Sequence, residues 1–266
     1  MARKDRGLAM NVSQELVYYR SFNGTGIDTD NMDEETRRGA TQAGGAYIFR
    51  PTDEAPVPLN PGPVELNVVY GDLVTEIHQS WSPWASLTSR LYRDARVLEV
   101  EWELGPVPVD DGVGKEVVLR LGSDLRSEGT LWTDANGREF QERKLNHRAT
   151  WNVSLDEPVA GNYYPATIAA YLEDGEGGGK EGGKEGKALR RQLSVVLDRS
   201  EGVASLASGQ LDLLLQRRLL FDDRRGVNEP LNETVGGIEH GGDWARRGEG
   251  VRVRGKHTLM LGAAGR

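Results

Sequence analysis

The stretch Arg96-Val-Leu-Glu-Val-Glu-Trp-Glu-Leu104 decides the fold class. From Leu98 to Leu104 every second residue is apolar and the residues between are glutamates, while Val97 stands out of phase. Successive side chains of a strand point to opposite faces, so this alternation predicts a strand with one buried face and one wet, acidic face. Such a strand is typical of an antiparallel sheet that faces water on one side.

Similar apolar runs, separated by turn residues, continue on both sides of this strand at intervals of roughly ten residues, a spacing typical of all-β proteins. The sequence predicts strands over 64–70, 73–81, 115–121, 166–172 and 189–197, with the last two forming a pair. It also predicts a hairpin around Asp134-Ala-Asn-Gly137, because Asn-Gly suits a tight β-turn.

Three stretches do not follow this pattern. Residues 206–220 are the only helical-looking segment, although periodicity alone also allows a loop followed by a strand. Residues 28–42 are polar and acidic, which predicts a loop. Residues 175–187 consist mainly of glycine, glutamate and lysine and predict a flexible loop that extends a hairpin.

The charge balance limits the partners of the chain. Its formal net charge is -8, which argues against nucleic acid and anionic membranes as partners, since both would repel it. No apolar run of about eighteen residues is present, so no transmembrane helix is expected. Residues 1–8 are charged and lack an apolar centre, so they do not predict a signal peptide.

Two features point to different cellular compartments. Cysteine is absent, which fits a reducing compartment and excludes disulfides and thiolate zinc sites. Asn-x-Ser/Thr sequons begin at Asn11, Asn23, Asn152 and Asn232, more than the roughly one expected by chance. The sequons favour a glycosylated protein of the secretory or lysosomal pathway, with chance composition as the alternative. A secretory protein that starts in this way is expected to be a fragment.

The sequence carries no complete catalytic motif. His78, His147, His240 and His257 share no metal-ligand spacing such as His-x-x-x-His, which argues against a zinc site. No Gly-x-Ser-x-Gly elbow of a serine hydrolase is present. With 41 Asp and Glu residues, the carboxylate pair of a glycosidase cannot be singled out by count.

Five longer segments are more specific than any of these short motifs. They are Gly45-Ala-Tyr-Ile-Phe-Arg-Pro51, Thr133-Asp-Ala-Asn-Gly-Arg-Glu-Phe140, Glu157-Pro-Val-Ala-Gly-Asn-Tyr-Tyr-Pro165, Asp198-Arg-Ser-Glu-Gly-Val-Ala-Ser-Leu206 and Arg217-Arg-Leu-Leu-Phe-Asp-Asp-Arg-Arg-Gly-Val-Asn-Glu-Pro-Leu231. In this order and spacing, the chain from about residue 13 to 261 resembles the C-terminal β region of glycoside hydrolase family 38, the class II α-mannosidases, above all the lysosomal, acidic type.

The resemblance implies an all-β fold, a β-sandwich or supersandwich of the galactose-mutarotase-like type with mainly antiparallel strands. It also implies a retaining exo-α-mannosidase whose N-terminal barrel supplies an aspartate nucleophile and a zinc ion. The motifs of that barrel and of the helical bundle have no counterpart in residues 1–266, which are expected to form one C-terminal β region. We therefore expect no catalytic residue, no cofactor and no activity in this chain alone.

The same resemblance points to two substrate-binding residues. Tyr47 matches a tyrosine near the substrate, and Arg225 matches an arginine at the sugar pocket. Tyrosine offers an apolar ring and a hydroxyl, and arginine offers a rigid fork of donors. Without the resemblance, Tyr47 would be interpreted as a core strand residue and Arg225 as a partner of Asp222 or Asp223 in a loop ion pair.

Two aromatic groups have both a structural and a sugar-binding interpretation. Asn162-Tyr-Tyr164 could contact a glycan, but packing at an interface with the barrel is favoured, because aromatic clusters anchor interfaces. Trp81 and Trp84 could form a platform for a sugar, but burial in the core or at an interface is favoured.

These observations predict a scaffold and pocket-rim region of an α-mannosidase that acts on mannose-containing glycans in the lysosome, the vacuole or the secretory pathway. This function requires a large exposed apolar face where the catalytic barrel docks. One alternative is a free-standing carbohydrate-binding module, which predicts a closed surface with a shallow aromatic groove. Another is a decayed or truncated product, which predicts poor folding and no saturable sugar binding.

Overall fold

The structure, a computed structural model, describes residues 1–3, 7–175, 190–235 and 249–264. Its strands are β1 Ala2–Arg3, β2 Leu8–Ala9, β3 Val12–Arg20, β4 Val57–Pro58, β5 Glu65–Tyr70, β6 Val74–Ser82, β7 Ala85–Tyr92, β8 Val97–Leu104, β9 Lys115–Ser123, β10 Thr130–Ala135, β11 Glu139–Lys144, β12 Tyr164–Ala166, β13 Ala169–Glu173, β14 Arg191–Leu197, β15 Glu201–Ala204, β16 Gln210–Arg218, β17 Thr234–Val235, β18 Glu249–Gly250 and β19 Val253–Ala263. The helical elements are α1 Glu34–Ala40 and a 3-10 turn at Ala160–Asn162.

The strands form two large antiparallel sheets, which confirms the predicted all-β fold. One sheet has nine strands in the order β11-β10-β13-β14-β19-β8-β7-β6-β5, and the other has six in the order β12-β15-β16-β9-β3-β4. β19 comes after all the other strands in the sequence, yet it lies in the middle of the nine-stranded sheet, between β14 and β8. Two small sheets, β1-β2 and β17-β18, complete the set that the structure describes.

The main core lies between the two large sheets, since both contribute to one cluster of buried apolar side chains. The six-stranded sheet supplies residues such as Leu16, Leu119 and Leu211, and the nine-stranded sheet supplies residues such as Trp102 and Leu193. Trp81 is buried and Trp84 packs against the same cluster. The preference for burial over a sugar platform at these two tryptophans is therefore confirmed.

The six-stranded sheet is also covered on its other face. A second cluster contains Val17, Tyr19, Val118 and Val159, with Phe49 packed against it. Strand β9 is consequently buried at each of its first five positions. A strand with two buried faces does not alternate, so its apolar run gave no sign of which residues face which layer.

Strand β8 behaves as its sequence predicts. Val100, Trp102 and Leu104 are buried in the core, while the intervening glutamates are only half-buried. Each glutamate forms an ion pair with a basic residue of a neighbouring strand: Glu99 with Lys256 at 3.2 Å, Glu101 with Arg90 at 2.7 Å and Glu103 with Arg254 at 3.2 Å. The glutamates thus keep partial contact with water, and basic side chains of the neighbouring strands compensate their negative charge.

The predicted hairpin is formed by β10 and β11. Its turn residues Asn136 and Gly137 have φ angles of 54° and 69°, the left-handed region that an Asn-Gly turn supplies. Asp134 braces the turn, because its carboxylate accepts the Gly137 N–H at 2.7 Å and the Ala169 N–H at 3.0 Å. Burial alone would raise the pKa of Asp134, but these and other backbone donors outweigh it and lower the pKa.

One assignment that rested on polarity is corrected, and one stretch that periodicity left open between a helix and a loop followed by a strand is settled as the latter. Residues 28–42 contain helix α1, which the sequence analysis assigned to a loop. The cap is regular, since Asp33 Oδ1 accepts the Thr36 N–H at 2.8 Å. The helical-looking stretch 206–220 instead contains strand β16, whose central residues pack on both sides of the six-stranded sheet.

The pair predicted over 166–172 and 189–197 exists as β13 and β14, but its first part is placed differently. Ala166 belongs to β12, which pairs with β15 in the six-stranded sheet, and the chain then crosses to the nine-stranded sheet. Of the predicted flexible loop 175–187, all but residue 175 lies outside the described residues.

No helix among the described residues combines the length and the apolar character needed to cross a bilayer.

Candidate functional site

The segment that contains Tyr47 and the segment that contains Arg225 are held together by the carboxylate of Asp223. Asp223 is fully buried, and its Oδ2 accepts the N–H groups of Tyr47 at 2.6 Å and Ile48 at 3.1 Å. Its Oδ1 accepts the N–H of Arg225 at 3.1 Å. A single carboxylate thus joins two segments that lie 176 residues apart in the sequence.

The approach of the two segments requires glycine at position 45. A Cβ atom on Gly45 would lie 2.5 Å from the Cβ and 2.6 Å from the backbone nitrogen of Asp223. Both distances are far inside van der Waals contact, so any side chain would push the segment around Tyr47 away from Asp223. The Gly-Ala-Tyr sequence therefore combines a small residue that permits contact with a large residue that projects from it.

Arg217 holds the same segment from the side of strand β16. Its guanidinium donates to the carbonyl oxygen of Ile48 at 2.8 Å and to that of Ala46 at 3.3 Å. It also forms an ion pair with Glu116 of β9, which is fully buried. Burial raises the pKa of Glu116, although the charge and hydrogen bonds of Arg217 oppose the rise. The backbone on both sides of Tyr47 is thus fixed by groups of the six-stranded sheet.

The side chains of Tyr47 and Arg225 remain exposed. Tyr47 is 68% exposed and lies outside the named strands, so its interpretation as a core strand residue is wrong. Among the described residues, the Arg225 side chain forms no ion pair with Asp222 or Asp223, and its link to Asp223 runs through the backbone. Both side chains are therefore free to meet another molecule.

A cleft of about 770 Å³ opens beside this assembly. Its walls include Asn23, Arg38, Phe221, Asp222, Arg224 and Arg225. Oδ1 of Asp222 has no hydrogen-bond partner among the described residues, and Arg224 has a left-handed φ of 57°. Phe221 and Arg224 were not predicted as site residues, although both belong to the family segment 217–231.

Asn162, Tyr163 and Tyr164 have internal partners. Asn162 is buried, and its amide nitrogen donates to Asn146 and to the carbonyl oxygen of Pro158, both at 2.7 Å. Tyr163 packs edge-on against Phe49 with ring centroids 4.9 Å apart, and burial raises its pKa well above the usual value. Asn162 is therefore structural, while the predicted docking role of this group stays a prediction.

The described histidines, His78, His147 and His257, do not form a metal-binding cluster. Among the residues that the structure describes, no three His, Asp or Glu side chains are placed to hold a metal. His257 is buried with Nε2 at 3.0 Å from both oxygens of Glu201, and no third ligand stands beside them. His240 lies outside the described residues.

The chain matches one known protein family over most of its length. Residues 2–225 match the family described as "Glycosyl hydrolases family 38 C-terminal domain". The chain belongs to this family. The match contains both segments that Asp223 joins, and it confirms the resemblance that the sequence segments indicated.

Similar full-length proteins are α-mannosidases. The chain is 43% identical to human lysosomal α-mannosidase over 223 residues, which cover 84% of the chain and 19% of that protein. It is 39% identical to the bovine enzyme over 97% of the chain and 22% of the relative. It is 35% identical to an α-mannosidase of Canavalia ensiformis over 98% and 23%. The chain thus spans about a fifth of the length of these relatives.

Solved structures support the fold. An α-mannosidase from Enterococcus faecalis V583 superimposes with a TM-score of 0.53 at 11% identity, over 94% of this chain and 26% of that one. A family 38 protein from Enterococcus faecalis gives a TM-score of 0.51 with the same coverage. The two-sheet architecture is therefore shared with family 38 proteins of very different sequence.

Proposed function

We propose that this chain is the C-terminal β domain of a retaining α-mannosidase and that it supplies part of the rim of the mannose pocket. The observation that carries the proposal is the buried carboxylate of Asp223, which joins the segments of Tyr47 and Arg225 and leaves both side chains exposed. Two distant segments held this firmly beside a cleft suit a binding role better than a packing role.

The two residues offer complementary contacts to a sugar. The exposed ring of Tyr47 can lie against the apolar face of a mannose ring, and its hydroxyl can donate to or accept from a sugar hydroxyl. Arg225 carries donors only and can bind oxygen atoms of a sugar in the cleft that it lines. Fixing the backbone before the sugar arrives lowers the entropy lost on binding.

The catalytic steps belong to another part of the enzyme in this proposal. An aspartate nucleophile and zinc would be supplied by the catalytic barrel, and the substrate would be a terminal α-mannose of an N-glycan. The chain alone would be inactive and would serve as a scaffold for that barrel. Support comes from its family and from the length of its relatives, of which it matches about a fifth, for example 22% of the bovine enzyme.

An exposed apolar edge supports docking to a larger partner. Strand β5 is exposed at all six positions, and it forms one edge of the nine-stranded sheet. Tyr70 and Leu73 are 82% and 75% exposed, and Leu91 of β7 is exposed nearby. The opposite edge, β11, carries four charged residues among its six, which discourages pairing with another strand. We infer that the β5 edge is covered by the rest of the enzyme.

The test is an activity assay with and without a catalytic region. The purified chain alone, with added zinc at acidic and at neutral pH, is expected to show no hydrolysis of a chromogenic α-mannoside. Co-expression with the region of human lysosomal α-mannosidase that this chain does not match is expected to restore turnover. Turnover by the chain alone would overturn the proposal.

Matched variants separate a pocket role from a folding role. Arg225→Ala and Tyr47→Phe in the co-expressed complex are expected to raise KM or lower kcat without changing the thermal stability of the chain. Arg138→Ala serves as the control, because Arg138 is an exposed arginine of the β10–β11 turn. Equal effects of Arg225→Ala and Arg138→Ala would remove Arg225 from the pocket.

A free-standing carbohydrate-binding module remains the second candidate because of one aromatic group. On the nine-stranded sheet, Trp132 and Tyr171 stack with centroids 5.6 Å apart, and Phe140 packs edge-on against Tyr171 at 5.0 Å. Phe140 is itself exposed, as expected of a ring that contacts a sugar. Loss of oligomannose binding on Phe140→Ala, with no restored hydrolysis in the co-expression assay, would favour this function.

We further propose a lysosomal or secretory location. The relatives named above include lysosomal enzymes, and three of the four sequon asparagines, Asn11, Asn23 and Asn152, are exposed. Expression through the secretory pathway of a eukaryotic host should add glycans that an N-glycosidase removes. An unmodified secreted chain would argue against a glycosylated context.

A further inference from the structure

The cleft beside Arg225 is lined mainly by positively charged residues, although the protein as a whole is acidic. Three arginines line it, Arg38, Arg224 and Arg225, together with a single acidic residue, Asp222. The chain as a whole has a formal net charge of -8. A positive cleft in an acidic protein concentrates anions locally, because its walls focus the field of the charges that line it.

The two adjacent arginines lack the partners that other arginines of the same segment have. Arg217 forms an ion pair with Glu116, and Arg218 donates to Asn232 at 2.6 Å. Arg224 and Arg225 are exposed and form no ion pair within the part of the chain that the structure describes. Arg38 is bound to Glu34 at 3.0 Å, so it adds less free charge to the cleft.

Asp222 adds an acceptor at the same place. Its side chain is half-buried, and Oδ1 has no hydrogen-bond partner among the described residues. A buried carboxylate oxygen without a donor is costly, and a hydroxyl of a ligand would satisfy it. A neutral sugar would use this acceptor but leave the charge of the two arginines uncompensated. A phosphate or carboxylate would compensate it and would match the planar donor fork of arginine.

We propose that this cleft binds a mannosyl glycan that carries an oxyanion, either a phosphate ester or a carboxylate. Arg224 and Arg225 bind the oxyanion, and Asp222 accepts a hydrogen bond from a sugar hydroxyl. The inference rests on the proposed function in that it places Arg225 at the sugar, and it extends that function from neutral to anionic mannosides.

The test is a titration of the ¹⁵N-labelled chain with mannose 6-phosphate, mannose and inorganic phosphate, followed by amide chemical shifts. Mannose 6-phosphate is expected to bind at least about ten-fold more tightly than mannose, as one charge-assisted hydrogen-bonded contact provides. It should also bind more tightly than inorganic phosphate, and rising NaCl should weaken it. The shifts should fall on 221–225 and 23–25.

Two variants make the result decisive. Arg224→Ala is expected to reduce the preference for mannose 6-phosphate over mannose, since Arg225 alone then binds the oxyanion, while Arg138→Ala leaves it unchanged. Equal binding of mannose and mannose 6-phosphate by the intact chain, or a preference that Arg224→Ala leaves unchanged, would overturn the inference. Equal binding of mannose 6-phosphate and inorganic phosphate would overturn the role of Asp222.

The outcome is independent of the activity assay. If mannose binds but the phosphate adds nothing, the anionic substrate is refuted while Arg225 keeps its place at a neutral sugar. If the co-expressed complex stays inactive but mannose 6-phosphate binds and is weakened by Arg224→Ala, the α-mannosidase role fails and the anion-binding cleft stands.

Discussion

Replacing Asp223 with alanine removes the carboxylate that joins the Tyr47 and Arg225 segments. Three backbone N–H groups would lose their acceptor, at 2.6, 3.1 and 3.1 Å in the intact chain. A hydrogen bond to a charged group contributes about 1.5–3 kcal/mol. Water can replace the bond at Arg225, which is exposed. Counting only Tyr47 and Ile48 at the lower end gives a loss of about 3 kcal/mol in the free energy of unfolding.

The assay is urea and thermal unfolding of the purified chain, with a fall in Tm of about 6 °C expected for Asp223→Ala. Asp222→Ala is the matched control, because Oδ1 of Asp222 has no partner among the described residues and its removal should cost less than about 0.5 kcal/mol. Trypsin should also cleave after Arg224 or Arg225 faster in Asp223→Ala alone. Equal stabilities of the two variants would refute the role assigned to Asp223.

Two further predictions concern the nine-stranded sheet. The folded-state pKa of Asp134 is lowered, so its stabilisation is present above its unfolded pKa of about 3.9 and is lost as pH falls through the folded value. Asp134→Asn should therefore lower the free energy of unfolding by about 2 kcal/mol at neutral pH. In urea titrations, the difference in unfolding free energy between the wild type and the variant should become smaller below about pH 4. A difference that does not change with pH would contradict this. Gly255→Ala should cost about 2 kcal/mol, since its Cβ would lie 2.3 Å from Cζ2 of the buried Trp102. Gly262→Ala on the same strand has nothing within 4 Å and should be neutral in the same unfolding assay, and equal losses would refute the packing described.

Strand β8 was predicted because it has one wet face, whereas strand β7, which also has exposed positions between buried ones, was not predicted. Strand β8 alternates because water lies on one side and the core on the other, so its boundaries and its buried residues followed from the pattern. Strand β16 does not alternate, since its sheet is covered on both faces, and an apolar run of that kind suits a helix equally well.

Helix α1 was missed for the opposite reason. It buries none of its seven residues, so it has no apolar stripe to detect. Its signals were all electrostatic: Asp33 at the N-cap, glutamates in the first turn and arginines in the last turn. These signals were present in the sequence, but without an apolar stripe the segment was assigned to a loop.

At the site, the family resemblance predicted Tyr47 and Arg225, but it did not predict the bonds to Asp223 that hold their segments together. The Tyr47 N–H donates to a side-chain carboxylate 176 residues away in the sequence, and no periodicity encodes such a contact. From the sequence, Asp223 was expected only as an ion-pair partner of the Arg225 side chain. The structure shows instead an acceptor of main-chain N–H groups.

The central position of β19 has a consequence for synthesis on the ribosome. Without Val253–Ala263 the nine-stranded sheet would fall into two separate four-stranded parts, β11-β10-β13-β14 and β8-β7-β6-β5. Both parts would expose an open edge at the gap and recruit other strands while translation continues. The family match ends at residue 225, so a chain cut there would look complete by its motifs yet lack the strand that joins the halves. Folding of this sheet must wait until the final strand has left the exit tunnel.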